Sequence, residues 1–235
     1  MRNGLRSSVV FAVMLLVFAM SSVSSIGAVT IQTPKGTNVY VFYSGPDGDQ
    51  EWKNEAADWV HQHYPQAIVL ADASMLYNCH SYAWNISEGG PVYWMNTPED
   101  DKYWNDGSYI EVPDAAKGEK VSYPYDDHSA IETTIDDMFD SKWGAYPLCR
   151  HPRTHCPYDD PNYRTKYYAR YIRVITNEAY ANGDDVKVAS KGTLTAGSNT
   201  TIGDGATVRF VSDQTVNIES GFTLQNGGKL TAECW

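Results

Sequence analysis

Beyond Asn182-Gly183-Asp184 the chain changes character: residues 186–235 contain no His, Tyr or Pro and break into short Thr- and Val-rich runs punctuated by Gly, Asn and Asp. The runs Gly192-Thr193-Leu194-Thr195, Asn199-Thr200-Thr201-Ile202, Ala206-Thr207-Val208-Arg209-Phe210, Gln214-Thr215-Val216-Asn217-Ile218, Phe222-Thr223-Leu224 and Lys229-Leu230-Thr231 recur at six to eight residues. A run this short buries an apolar face only against a neighbour, so the pattern predicts a short β-solenoid over residues 184–235 whose rungs touch mainly each other. Residues 29–183 then form a separate domain, with a boundary near Gly183.

The N-terminus reads as a secretory signal peptide over residues 1–28. Arg2 and Arg6 precede the apolar run Val9 to Met20, and small residues from Ser21 to Ala28 follow, with cleavage expected between Ser24 and Ala28. About 20 apolar residues are needed to span a bilayer, so this run predicts no stable membrane span. The expected location is outside the cytosol: secreted, periplasmic or at the cell surface. Formal charge is −11, and −13 once Arg2 and Arg6 are lost; no run of Lys and Arg offers a track for phosphates, which excludes nucleic acid as a partner.

In an oxidising compartment Cys149 and Cys156, separated by six residues in a Pro-containing loop, are the natural disulfide pair. Closing so short a loop is worth roughly 2 to 3 kcal/mol on the chain-entropy model. The competing reading is zinc, because Cys149, His151, His155 and Cys156 crowd four donors into one loop, but their spacing matches no common ligand pattern. No metal or cofactor is therefore expected. Cys234 is left free or joined to another molecule.

Between these ends, Trp52, Ala56, Trp59, Val60 and His63 recur at helical spacing from Gln50 to Tyr64, and Pro65 stops the helix. Residues 67–70 read as a strand, and a second short helix opens at Asn78. Alternation predicts strands over 120–123, 128–135, 138–143 and 166–175. The stretch from Val92 to Asp114 carries Tyr93, Trp94, Tyr103, Trp104 and Tyr109 among loop residues, a pattern suited to one wall of a cleft.

Asn78 is a strong N-cap residue and sets Cys79 at the first position of its helix, where unpaired N–H groups favour a thiolate and where the Cys79 N–H can donate to an oxyanion. Asp127-His128-Ser129-Ala130-Ile131 puts an imidazole at the start of a strand, the placement needed to offer a base to a helix-borne thiol. Glu132 is about 13 Å further along an extended chain and cannot orient that ring.

The order of Asn78-Cys79-His80-Ser81-Tyr82-Ala83-Trp84, then Gly118-Glu119-Lys120-Val121-Ser122-Tyr123, then Asp127-His128-Ser129-Ala130-Ile131 resembles the NlpC-like and CHAP-like branch of papain-fold cysteine hydrolases. Ser141-Lys142-Trp143-Gly144 and Cys156-Pro157-Tyr158 resemble an uncharacterised bacterial secreted subgroup of that branch. Glu119 stands where the branch usually has Asp. The resemblance implies an α+β fold, a papain-like core of helices packed on an antiparallel sheet followed by the short β-solenoid. It also implies Cys79 as nucleophile, His128 as general base and Ser141 as the orienting residue, with Asp140 the runner-up. The expected activity is cleavage of an amide bond in a peptide or peptidoglycan-type substrate through a thiol acyl-enzyme, with Asn78 and Cys79 supporting the oxyanion. The alternative is a non-catalytic surface or adhesive protein whose tail and aromatic loop contact glycan or protein.

Overall fold

The computed structural model describes residues 28–235. The leader expected over residues 1–28 lies, save for its last residue, outside them. A hairpin of β1 (Ala28–Gln32) and β2 (Asn38–Phe42) comes first among the described residues. Helix α1 (Gln50–His63) follows; the Asp49 carboxylate accepts the Trp52 N–H at 2.9 Å, and Ala56 and Val60 are its buried positions. After β3 (Ile68–Ala71) come the short helices α2 (Cys79–Trp84) and α3 (Lys102–Asn105). Strands β4 (Tyr109–Val112), β5 (Lys120–Ser122), β6 (Ser129–Glu132), β7 (Met138–Lys142), β8 (Leu148–Pro152) and β9 (Lys166–Arg170) then build the body of the molecule.

Strands β3, β8, β7, β6, β5 and β9 pair antiparallel in that spatial order, and β4 joins β9. Alternation along β6 sorts the two faces. Ala130 joins Val60 of α1, Val121, Phe139 and Cys149 in one apolar cluster. Ser129 and Ile131 turn to the other face, where Trp84 of α2 meets Tyr103, Tyr109 and Tyr168. The Trp84 ring is 1% exposed, edge-on to Tyr109 with centroids 5.3 Å apart, and fixes the far end of the helix that carries Cys79.

The tail is a three-sided parallel coil. Strands β10 (Arg173–Ile175), β13 (Thr193–Ala196) and β16 (Thr215–Ile218) form one side, and β11 (Ala179–Tyr180), β14 (Thr201–Ile202) and β17 (Thr223–Leu224) the second. The third side is β12 (Asp185–Ser190), β15 (Thr207–Ser212) and β18 (Lys229–Cys234), with Asp185 beside Thr207 and Thr207 beside Lys229. Ile175, Leu194, Ile202, Val208 and Phe210 fill the coil. Gly205 and Gly227 turn at φ 74° and 88°, directly against Asn182 and Asp204 of the preceding coil, so a side chain there would meet both backbone strain and a clash. The short runs of the sequence are thus sides of a coil, three to a turn, and parallel pairing already begins at Arg173.

The coil is not set apart from the body. Ser190 of β12 pairs in parallel with Arg170 of β9, which makes the third side of the coil continuous with the antiparallel sheet. Glu119 accepts the Ala189 N–H at 2.8 Å, Lys187 Nζ donates to the Ala115 carbonyl at 2.6 Å, and Ala189 and Val211 pack on Val112 and Ala169.

The expected α+β core of helices layered on a sheet is not what forms. The described residues are mostly β, 36% strand against 16% helix, with curled sheets and three α-helices among them. Of these only α1 exceeds two turns, so there is no papain-like helical layer. Tyr-rich and β-branched runs favour strands, and Gly, Pro and Asp interrupt the helical stretches before they lengthen. No helix of the described residues is long and apolar enough to cross a membrane.

Candidate active site around Cys79

Asn78 caps α2. Its Oδ1 accepts the Ser81 N–H at 3.2 Å and the Met95 N–H at 3.3 Å, while Nδ2 donates to the Met95 carbonyl at 2.6 Å. The cap therefore also pins the Tyr93–Met95 segment beside the thiol. This carboxamide is committed to the scaffold, so it supports Cys79 rather than reaching an oxyanion itself. Cys79, 4% exposed, starts the helix with a first-turn N–H that has no intrahelical acceptor.

His128 is fully buried, and neither ring nitrogen has a hydrogen-bond partner. Its ring lies flat on Tyr158, centroids 3.7 Å apart and planes 5° apart, and edge-on to Tyr123 at 5.1 Å. Burial, reinforced by His151 and His80, pushes the imidazole well below its ordinary range, so it is neutral at pH 7 and able to accept a proton. Tyr158 covers one face of His128, and no hydrogen bond joins the His128 ring to Cys79. The turn leading into His128 holds Tyr125 and Asp126 in the left-handed region at φ 63° and 58°.

Ser141 does not orient His128. Its Oγ lies 2.7 Å from His151 Nε2 and accepts Trp143 Nε1–H at 3.0 Å. His151 Nδ1 faces the Pro152 carbonyl at 2.9 Å and must donate there, so Nε2 accepts the Ser141 proton. Burial holds His151 down at about 4, consistent with that neutral tautomer. The runner-up, Asp140, is taken by Arg150 in a two-pronged pair at 2.7 and 2.8 Å.

Cys149 and Cys156 are separate thiols in one apolar cluster, so the expected disulfide is not formed. Each thiol turns instead to a nearby carbonyl, Pro147 and Arg153, at 3.7 Å. Burial pushes them up to about 12 and about 11. Cys149, His151, His155 and Cys156 do not converge into a ligand set either: His155 Nε2 accepts the Gln66 N–H, and His151 is spent on Ser141. Cys234 is free and exposed.

Two groups beside the thiol escaped sequence reasoning. Lys142 is fully buried, and its Nζ donates to the Ser74, Gly144 and Tyr146 carbonyls at 2.9, 2.7 and 2.6 Å while sitting 4.9 Å from the Tyr77 ring. Burial pulls it down to about 7, and the Cys79 sulfur works against that shift. The other is His80, the next residue after Cys79, with Nδ1 2.7 Å from Asp100 Oδ2. A buried Lys in a strand and a His beside a candidate nucleophile carry no spacing signal of their own.

Comparison with family models, curated proteins and solved structures finds no match for this chain.

Proposed function

We propose that the chain is a secreted thiol hydrolase that cleaves an amide bond in a peptide or peptidoglycan-type substrate. The observation that carries this reading is the His128 imidazole: fully buried, neutral, unbonded at both nitrogens and covered on one face by Tyr158. A buried polar ring without partners costs roughly 1 to 3 kcal/mol, a cost tolerated where the ring has a use in the bound state. The Cys79 proton passes to His128 as the sulfur bonds the carbonyl carbon, and the resulting oxyanion is received by the Cys79 N–H. Collapse breaks the C–N bond, with the proton returned from His128 to the leaving amine. Water, deprotonated by the same ring, then hydrolyses the thioester and restores the thiol.

The test is a screen of peptidoglycan fragments and plain peptides with the full chain and its Cys79→Ala variant. Hydrolysis lost in the variant supports the reading; retention of even a tenth of the rate overturns it. A second reading, a non-catalytic surface protein, draws on the exposed pair Tyr125–Tyr163 and on exposed Tyr43 against half-buried Tyr93, with ring centroids 4.3 and 5.0 Å apart. Glycan or peptide capture that is unchanged in Cys79→Ala, with no turnover by either form, favours it.

A further inference from the structure

Asp100 is fully buried, and its Oδ2 has no hydrogen-bond donor. His80 Nδ1 lies 2.7 Å from that oxygen, but the hydrogen bond of that nitrogen runs to Ser129 Oγ at 3.0 Å. The fold brings two half-buried carboxylates to the same place: Asp101, at the start of α3, and Asp126, in the turn before β6. One oxygen from each of the three lies within 4.8 Å of the other two. Carboxylates packed this closely repel one another, and the repulsion grows as water is excluded.

Acceptors outnumber donors at this spot. Among the described residues, the side-chain donors to these carboxylates are two hydroxyls, Thr97 Oγ1–H to Asp100 at 3.2 Å and Ser122 Oγ–H to Asp126 at 3.3 Å. The Thr97 proton is itself contested, because the Asp126 carbonyl lies 3.1 Å from the same hydroxyl. Asp101 holds the N-cap position of α3, yet its side chain accepts no N–H there. No Lys or Arg of the described residues pairs with any of the three; Lys102 turns away to Glu99 Oε2 at 2.6 Å and the Asn38 carbonyl at 3.0 Å. An unpartnered buried carboxylate facing two more calls for a cation.

We propose that Asp100, Asp101 and Asp126 bind a hard divalent cation, calcium, which clamps the loop before α3 to the turn before β6. The donors are all carboxylate oxygens, the set that hard cations take. Calcium binds oxygen at about 2.4 Å, so oxygens this far apart reach one ion from opposite sides, whereas magnesium, at about 2.05 Å in a strict octahedron, needs them closer. Asp126 stands two residues before His128, so the ion fixes the approach to that strand. The proposal is independent of the hydrolase reading, and its readouts do not use turnover.

The experiment uses the full chain stripped with EDTA. Calorimetric titration with CaCl2 should show one saturable site with a Kd of about 0.1 mM. Thermal melts should show Tm rising by about 5 °C in about 10 mM CaCl2, and by less than half of that in MgCl2 at the same concentration. Asp101→Asn and Asp126→Asn should each weaken calcium binding about tenfold. In EDTA both variants should melt no lower than the unmodified chain, because each removes one of the repelling charges; the reverse order, which purely structural carboxylates would give, overturns the proposal. No saturable calcium heat, or an equal Tm rise in MgCl2, overturns it with the unmodified chain alone. Unchanged calcium affinity in folded Asp101→Asn and Asp126→Asn also overturns it, since the ion then sits elsewhere on this acidic chain. Each of these results leaves the hydrolase reading in place.

Discussion

The imidazole of His128 rests on the ring of Tyr158, centroids 3.7 Å apart and planes almost parallel, and that contact covers a fully buried histidine ring that makes no hydrogen bond. Tyr158→Phe keeps the stacked face and should leave His128 neutral well below pH 6. Tyr158→Ala removes it, admits water, and should move the His128 midpoint back toward the ordinary imidazole range. It should also cost roughly 3 to 5 kcal/mol of stability, as large aromatic truncations do. Histidine NMR titration and urea unfolding check the two effects.

His151 gives a pH signature with a defined sign. Its folded midpoint of about 4 lies below the ordinary value of 6.5. The unfolded chain therefore binds more protons below about pH 6.5, and the stability this group contributes is lost as pH falls toward 4. The shift corresponds to roughly 3 kcal/mol. Asp126 and Glu132, pushed up to about 7 and about 8, act in the opposite direction, contributing stability at low pH that is lost as pH rises. The informative quantity is thus a difference: His151→Asn should be less stable than the unmodified chain at pH 7, with the gap closing toward pH 4. Urea midpoints at the two pH values measure it.

Native thiol labelling should separate the cysteines. Cys149 and Cys156 are buried and pushed up to about 12 and about 11, so they should resist iodoacetamide at pH 7.5 until the chain is denatured, while exposed Cys234 labels at once. Non-reducing peptide mapping should find no Cys149–Cys156 linkage.

Removal of residues 184–235 should unfold the body rather than leave it intact. Glu119 would lose the Ala189 N–H, and Glu132 would lose Lys187, its ion-pair partner at 3.8 Å, with both carboxyl groups left in the interior. A buried carboxyl group left without its partner costs roughly 1 to 3 kcal/mol, and the loss of Ala189 and Val211 from their packing on Val112 and Ala169 adds to it. Aggregation, or a melt without a cooperative transition, is the expected outcome.

What the sequence made legible was local. Helix α1, the Asn78 cap ahead of Cys79, and the strands over 120–122 and 138–142 all follow from patterns within a few residues. The stretch 166–175 alternates throughout, yet it divides at Tyr171 into β9 of the sheet and β10 of the coil, because alternation says nothing about which partner a strand meets. The same limit turned three sides of one coil into separate rungs. Ser141 was assigned to His128 by position in a motif, whereas across the β7–β8 hairpin its neighbour is His151. Buried polar side chains such as Lys142, Lys187 and Glu119 run against composition rules and become intelligible only from the carbonyls and N–H groups that surround them.

The central claim is that Cys79 carries the acyl group. Intact-mass analysis of the full chain, quenched in acid during turnover of a cleaved substrate, tests it most directly. The account predicts a mass increase equal to the acyl fragment, mapped to the peptide containing Cys79, rising and decaying at rates that match turnover and absent in Cys79→Ala. Turnover with no adduct on Cys79, at an undiminished rate in Cys79→Ala, would contradict it.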